Sequence, residues 1–307
     1  MDYVVEAHNL TKSYHKLVAV DHINFQVEKG EIFGFLGPNG AGKTTTVRML
    51  TGIIKPNEGH VNILGYNIHN EPLKAKQNIG VVPETSNAYV DLSAWQNMML
   101  MAELYGIPKQ EAEKRAKALL RRLGLYERKD NKVKGFSKGM KQRLILCMAL
   151  INDPILIFLD EPTSGLDVQS SRMIREILLD FSQEGKTIFL TTHNMDEASH
   201  LCDRVAIINY GKIAAIDKPS ILKNTIKKLK SVEISFNSPI EVEILSEIPH
   251  ITETRKEGDK FIISSDNIDS LIHSLTGFAE SRNLKIISLN TMAPSLEEVF
   301  IKLTGEV

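Results

Sequence analysis

The sequence predicts an α/β fold: a mostly parallel sheet covered by helices, with antiparallel strands before it and a smaller α+β domain after it. Three features predict this. A short apolar strand, Ile32 to Leu36, runs into a glycine-rich turn and then a helical segment, Thr44 to Leu50. Three further apolar runs, Ile155 to Leu159, Thr187 to Thr191 and Val205 to Asn209, are separated by helical stretches such as Arg172 to Phe181. Near-continuous apolar strands alternating with helices indicate a covered parallel sheet, because crossover helices hide both of its faces from water. After Gly211 that alternation stops.

Each element has its own signal. Residues 1 to 35 alternate apolar and polar side chains, as in Leu17-Val18-Ala19-Val20-Asp21-His22-Ile23-Asn24-Phe25, the mark of half-exposed antiparallel strands. From about residue 90 to 151 the chain reads as mostly helical. Ser93, with Gln96 three residues on, forms a capping box. Glu111 to Leu123 places apolar residues near helical spacing among many charges. Met140, Leu144, Met148 and Ile151 form an apolar stripe on a third helix. Ser220 to Lys230 reads as a basic helix or linker, its run Lys223, Lys227, Lys228 and Lys230 as a solvated face. Beyond it, Val232 to Phe236, Phe261 to Ser264 and Leu284 to Leu289 read as strands, with two helices, in a small α+β domain. The predicted division is 1–220, with a helical subdomain at about 85–151, and 221–307.

Composition excludes several classes. The chain has 307 residues, room for one large domain and one small one. Lys plus Arg number 37 against 38 Asp plus Glu, a net charge of −1, which gives no support to nucleic-acid binding through bulk charge. Hydrophobic residues at 42% and charged ones at 24% argue against a disordered chain. Cys147 and Cys202 form neither a C-x-x-C pair nor a zinc spacing, so they read as buried thiols in a reducing compartment. Met1 to Leu10 contains Asp2 and Glu6 and no apolar core, which argues against a signal peptide. The longest apolar stretches fall well short of the roughly 20 residues of a membrane span. A transport role would therefore need another chain to cross the membrane.

Three motifs carry chemistry. Gly37-Pro38-Asn39-Gly40-Ala41-Gly42-Lys43-Thr44 is a full G-x-x-x-x-G-K-[ST] match, placed between a strand and a helix. Its glycines let the backbone wrap a phosphate and aim N–H groups inward, and the helix N-terminus adds partial positive charge. Residues Gly37 to Thr45 are the candidate nucleotide cradle, with Lys43 on the β- and γ-phosphates and Thr44 on Mg²⁺. The second motif ends the strand Ile155-Leu156-Ile157-Phe158-Leu159 with Asp160-Glu161. Carboxylates at the carboxyl end of a parallel strand sit where such sheets bind ligands. Asp160 would hold Mg²⁺ through water, and Glu161 would polarise the attacking water. The third, Thr191-Thr192-His193, closes the next apolar strand, where His193 could bond the γ-phosphate and position the water.

Those motifs describe a P-loop ATPase. Phe136-Ser137-Lys138-Gly139-Met140-Lys141-Gln142-Arg143 narrows the family. Here the sequence resembles the ATP-binding cassette (ABC) family, whose signature is commonly Leu-Ser-Gly-Gly-Gln. Ser137 and Gly139 match its second and fourth positions, while Phe136, Lys138 and Met140 depart from it. The run Asp160-Glu161-Pro162-Thr163-Ser164-Gly165-Leu166-Asp167 is similar to the family's acidic motif running into its D-loop.

The resemblance implies an ABC-type ATPase core with an antiparallel β-subdomain and an inserted helical subdomain. It implies that ATP is sandwiched between two subunits, with Ser137 and Gly139 contacting ATP bound to the opposite one. Ser137 opens a helix, so its hydroxyl and nearby N–H groups can cradle an anion. Tyr14, followed by Val18-Ala19-Val20, resembles the family's aromatic loop, where a ring stacks on adenine. Glu84 falls where most members of the family it resembles carry a Gln that reaches Mg²⁺ and the water and links the ATP site to the membrane partner. A Glu there, and the tail Ala293-Pro294-Ser295-Leu296-Glu297-Glu298-Val299-Phe300, resemble the group exporting drugs, lipids or peptides. The expectation is an ATPase subunit at the cytoplasmic face of a membrane, acting with an integral membrane permease and a second copy of itself. A soluble ABC ATPase acting on DNA or ribosomes is the other reading. It usually carries two cassettes or a long coiled-coil insertion, and neither is present here. A GTPase would need Asn-Lys-x-Asp, and Asn131-Lys132-Val133-Lys134 lacks the acid.

Overall fold

A computed structural model describes residues 3–85, 88–225, 230–245, 248–292 and 294–305. Lys227 and Lys228 of the basic run, Ala293 of the tail motif, and Met1 and Asp2 lie outside the described residues. The chain forms two units, Met1–Lys218 and Pro219–Val307.

In the first unit, β1 (Tyr3–Tyr14) and β2 (Leu17–Glu28) pair antiparallel, as their alternation predicts. They are followed by β3 (Ile32–Leu36), α1 (Lys43–Leu50), β4 (Glu58–Ile63), β5 (Tyr66–Asn67), α2 (Pro72–Lys76) and β6 (Ile79–Val82). Then come α3 (Ala94–Leu104), α4 (Lys109–Arg122) and α5 (Lys138–Leu150). The unit ends with β7 (Leu156–Asp160), α6 (Val168–Gln183), β8 (Thr187–Thr192), α7 (Met195–Leu201), β9 (Arg204–Asn209) and β10 (Lys212–Asp217). One sheet has the order β2-β1-β4-β5, the other β10-β9-β3-β8-β7-β6. In the second sheet β3, β6, β7, β8 and β9 run parallel, and β10 turns back antiparallel on β9.

Strand alternation sorts the core into layers. Phe33, Phe35, Phe158 and Phe189 point from the parallel sheet toward α1 and the antiparallel sheet, where Phe25 meets them. The Phe189 ring lies 5.5–6.0 Å from those of Phe25, Phe33, Phe35 and Phe158 and is fully buried. Phe189→Ala should therefore cost about 3–5 kcal/mol, since it removes the ring joining both sheets and leaves a cavity. Denaturant midpoints measure this, and a loss below about 1 kcal/mol would show that the layers close over the gap.

The helices α5, α6 and α7 pack on the opposite face of the parallel sheet. Of the α5 stripe expected from Met140, Leu144, Met148 and Ile151, the last three are buried and Met140 is half-buried, but the buried surface is wider than a stripe. Every residue from Leu144 to Leu150 is buried, because β6, α3, α4 and α6 surround that half of the helix. Helix α3 carries the predicted capping box: Ser93 Oγ accepts from Gln96 N at 3.1 Å, and Gln96 Oε1 accepts from Ser93 N at 2.8 Å. Both cysteines are buried, and burial pushes each thiol up from its ordinary pKa.

The second unit holds α8 (Pro219–Thr225), β11 (Lys230–Phe236), α9 (Val242–Leu245), β12 (Glu253–Glu257), β13 (Lys260–Ser265), α10 (Ile268–Ser281), β14 (Ile286–Met292) and α11 (Leu296–Thr304). Its antiparallel sheet has the order β12-β13-β11-β14. Val232, Ile234, Phe261 and Ile263 pack against Leu271 and Leu275 of α10. Two expectations are revised. Lys230 begins strand β11 rather than ending the helix or linker expected from Ser220, and β12 is a strand beyond the three expected. Ser295 and Glu298 form a capping box that starts α11.

Candidate active site

The phosphate-loop motif forms the whole connection from β3 to α1. Packing requires glycine at Gly37 and Gly42, and the backbone turn requires it at Gly42 as well. A Cβ at Gly37 would lie 2.3 Å from Ile208 O, and one at Gly42 would lie 2.4 Å from Ala19 O. Gly42 adopts φ 107° and caps α1. The first N–H groups of a helix lack intrahelical partners, so this turn presents donors and a favourable dipole to an anion. Lys43 is only 6% exposed, and its ammonium donates to Gly37 O at 2.7 Å and Pro38 O at 3.1 Å. Thr44 and Thr45 follow half-buried on the first helical turn, while Asn39 and Gly40 are exposed at the loop tip.

The neighbouring strands deliver the acids and the imidazole to the same end of the sheet. Strands β7 and β8 are in parallel register, Asp160 opposite Thr191. Asp160 is buried, and its Oδ1 accepts from the Thr191 hydroxyl at 2.6 Å. That hydroxyl also accepts from Glu161 N at 3.0 Å. Glu161 is held at φ 51°, a left-handed conformation that costs a non-glycine residue about 1–3 kcal/mol. This turn aims its carboxylate back over the loop. Oε1 lies 3.2 Å from Lys43 Nζ, without the alignment of a hydrogen bond, and is otherwise without a polar partner; Oε2 lies 2.8 Å from Nδ1 of His193. Glu161 is thus set between a cation and an imidazole, its side chain 8% exposed and that of His193 52% exposed.

Lys43, Asp160, Glu161 and His193 are therefore brought together. Beyond the phosphate loop, the remaining predicted residues, Tyr14, Glu84, Ser137 and Gly139, stand outside that cluster. Tyr14 ends β1, 42% exposed, in the hairpin whose second strand packs on Gly42 through Ala19 and Val20. Glu84 is exposed two residues beyond β6, the strand beside β7. Ser137 caps α5, its hydroxyl accepting from Met140 N at 3.2 Å. Gly139 is buried, and a Cβ there would meet Ser170 Oγ at 2.4 Å, so α5 can approach α6 only with glycine at this point.

Two residues to which the motifs assign no role also shape the site, Thr191 and Glu197. Thr191 links Asp160 to the Glu161 backbone. Glu197, 2% exposed, accepts from the hydroxyls of Thr163 at 2.8 Å and Thr192 at 3.2 Å. Burial raises its pKa, and those two hydroxyls oppose the rise. The signal for Glu197 was its spacing three residues after Asn194, the start of a helix cap.

The side chains that the sequence nominates for a metal, Asp160, Glu84 and Thr44, would all offer oxygen. That set suits Mg²⁺, which binds few protein oxygens and completes its shell with phosphate and water. The described residues hold no group of three or more His, Cys, Asp or Glu able to ligate an ion alone.

A glycine loop feeding a helix, with an acidic strand end beside it, defines a P-loop nucleoside triphosphatase. The ABC transporter family matches residues 20–164. Over nearly its whole length the chain is similar to the linearmycin resistance ATP-binding protein LnrL of Bacillus subtilis (strain 168), 37% identical and covering 98% of each chain. It is similar also to the Nod factor export ATP-binding protein I of Burkholderia pseudomallei (strain 1710b), 36% identical over 98% of this chain and 97% of that one. Among solved structures, an ATP-binding subunit of an ABC transporter is 30% identical with a TM-score of 0.67, over 73% of this chain and 93% of that one. A dimeric ATP-binding cassette in a post-hydrolysis state with ADP and Pi is 28% identical with a TM-score of 0.64, over 70% and 98%. The chain belongs to the ABC transporter family, as an ATP-binding and ATP-hydrolysing subunit. None of the described helices is long and apolar enough to cross a membrane.

Proposed function

We propose that this chain powers export through a separate integral membrane permease, as one half of a homodimer that closes on ATP at the cytoplasmic face of the membrane. The observation that carries the reading is the Glu161 carboxylate, buried between the ammonium of Lys43 and the imidazole of His193. A carboxylate so placed can accept a proton from water while the neighbouring groups hold the phosphate.

Residues 1–220 form the nucleotide-binding domain on this reading, with its helical subdomain at about 85–151, and 221–307 an accessory domain. Gly37 to Thr45 wrap the phosphates, and Tyr14 stacks on the adenine. Ser137 and Gly139 face the nucleotide of the second copy. Mg²⁺, held by Thr44, Asp160 and Glu84 with phosphate oxygens, would neutralise phosphate charge. Nucleic acid is not a partner. Export is supported by the relative named for Nod factor export.

The test is a pull-down of tagged Glu161→Gln protein with ATP from detergent-solubilised membranes. An integral membrane protein at near equal amounts is the expected result; only soluble proteins, ribosomes or DNA would overturn it. The dimer has its own check. Ser137→Arg puts bulk and charge at the start of α5 and should abolish ATP-dependent dimerisation measured by light scattering. The lost cap costs about 1 kcal/mol, too little to unfold the unit. A normal ATP-dependent dimer would remove Ser137 from a shared site.

A further inference from the structure

We propose that Glu197 is a positioning residue for hydrolysis: its buried carboxylate bridges the Thr163 and Thr192 hydroxyls and so fixes the separation of Glu161 and His193. The inference rests on the roles proposed above for Glu161 and His193.

Two loops meet at the carboxyl end of the sheet. One leaves β7 as Glu161-Pro162-Thr163, the other leaves β8 as His193-Asn194. The bond between Glu161 Oε2 and His193 Nδ1 is one rung between them. Glu197 makes the second. Its Oε2 takes the Thr163 hydroxyl, two residues after Glu161, and the Thr192 hydroxyl, one residue before His193. The first rung is open to solvent on the imidazole side and depends on the state of that ring. The second joins the same two loops through a carboxylate that is only 2% exposed.

The local sequence is arranged to free this carboxylate. A Glu three residues into a helix commonly reaches back to the N-cap backbone N–H. Here that N–H, of Asn194, donates to Thr192 Oγ1 at 3.0 Å. The Asn194 side chain accepts from Glu197 N at 2.9 Å, which holds Glu197 at the third position of α7. The Thr192 hydroxyl accepts from Asn194 N, so its proton is directed to Glu197. Burying a carboxylate is costly unless it is hydrogen-bonded. The two threonine hydroxyls meet that need, and Arg175, on α6, is the nearby cation that offsets the charge. A 350 Å³ cavity lined by Glu161, Thr163, Arg175, His193 and Glu197 lies along this joint.

A loosened rung would misplace the water-activating pair without touching the phosphate loop. Errors of about 1 Å in such groups can cost on the order of 100-fold in rate. Glu197→Ala in the full chain should therefore lower kcat for ATP hydrolysis by ~10–100-fold, with KM within about twofold. Glu197→Gln keeps a carbonyl oxygen for the two hydroxyls and should recover most of the rate. In a His193→Ala background, Glu197→Ala should add less than about twofold, because both changes disable the same pair. ATP affinity and Tm report folding, and the Gln variant carries the test where the Ala variant unfolds. A kcat unchanged in Glu197→Ala, or losses that multiply with those of His193→Ala, would overturn the clamp. So would Glu197→Gln failing as badly as Glu197→Ala at normal Tm. Glu161→Gln separates the two readings. Fast hydrolysis in that variant overturns the proposed active site itself, whereas slow hydrolysis there with normal rates in Glu197→Ala overturns only the clamp.

Discussion

Glu161→Gln should leave ATP affinity within about twofold of the native chain and slow hydrolysis by ~10²–10⁴-fold, the range that a general base contributes. The two parts of this result have separate causes. Affinity is expected to survive because the substitution spares the loop from Gly37 to Thr45 and the first turn of α1. The amide also fills the same space and can still meet the His193 imidazole, 2.8 Å from the present carboxylate. Rate is expected to fall because an amide cannot take up a proton. One further consequence concerns Lys43. Its ammonium lies 3.2 Å from Glu161 Oε1 and also donates to two carbonyls of the loop. Neutralising the acid removes the only anion that is paired with Lys43 among the described residues, which should favour phosphate in its place. ATP affinity should therefore move toward tighter binding if it moves at all. Single-turnover hydrolysis and equilibrium nucleotide binding on the same preparation measure both quantities. Turnover near the native rate would remove Glu161 as the base. A large loss of affinity would show that the carboxylate helps to hold the loop open.

Much of this arrangement was legible in the sequence, for reasons that differ between elements. The phosphate loop is read from spacing because its requirements are local: glycines where the backbone is crowded, then a lysine opening a helix. Strands β3, β7, β8 and β9 are continuous apolar runs, and burial on both faces leaves that mark whatever the neighbours are. Strand β12 reads Glu-Thr-Arg-Lys-Glu and has no apolar face to betray it. It exists because it pairs with β13 at the sheet edge, where charge keeps an edge from recruiting another strand. Strand β10 is half-exposed and owes its place to its antiparallel return on β9. On α5, periodicity suggested a stripe, but Leu144 to Leu150 is apolar on every side. Only the surrounding elements decide how much of it is buried. Within the site, motifs named Lys43, Asp160, Glu161 and His193. Glu197 was hidden because an acid on a short helix reads as solvated until Thr163 arrives from another loop to meet it.

Gly42→Ala should be among the most damaging single-atom-scale changes in the first unit. At φ 107° the residue lies in a region that L side chains avoid, at a cost of about 1–3 kcal/mol. Its added Cβ would also sit 2.4 Å from the carbonyl oxygen of Ala19 and 3.3 Å from Val20 Cγ2. Ala19 lies at a bulge in β2 between the paired Val18 and Val20, and its carbonyl is backbone, so it cannot swing aside as a surface side chain would. Either the hairpin shifts or the loop does, adding about 1–3 kcal/mol of overpacking strain. A combined loss of about 2–6 kcal/mol, or a fall in Tm of roughly 4–24 °C, is expected for this unit. Nucleotide affinity should fall by at least ~10-fold, because a displaced loop no longer converges its N–H groups on one phosphate. Gly40→Ala isolates the cause. Gly40 also has a positive φ, 85°, but nothing lies within 4 Å of the Cβ it would gain. It should therefore lose only the backbone part, about 1–3 kcal/mol, and keep more of its affinity. Differential scanning calorimetry and nucleotide titration on both variants make the comparison. Equal losses at the two positions would mean that backbone conformation alone sets the requirement for glycine, and that the approach of β2 to the loop contributes nothing to it.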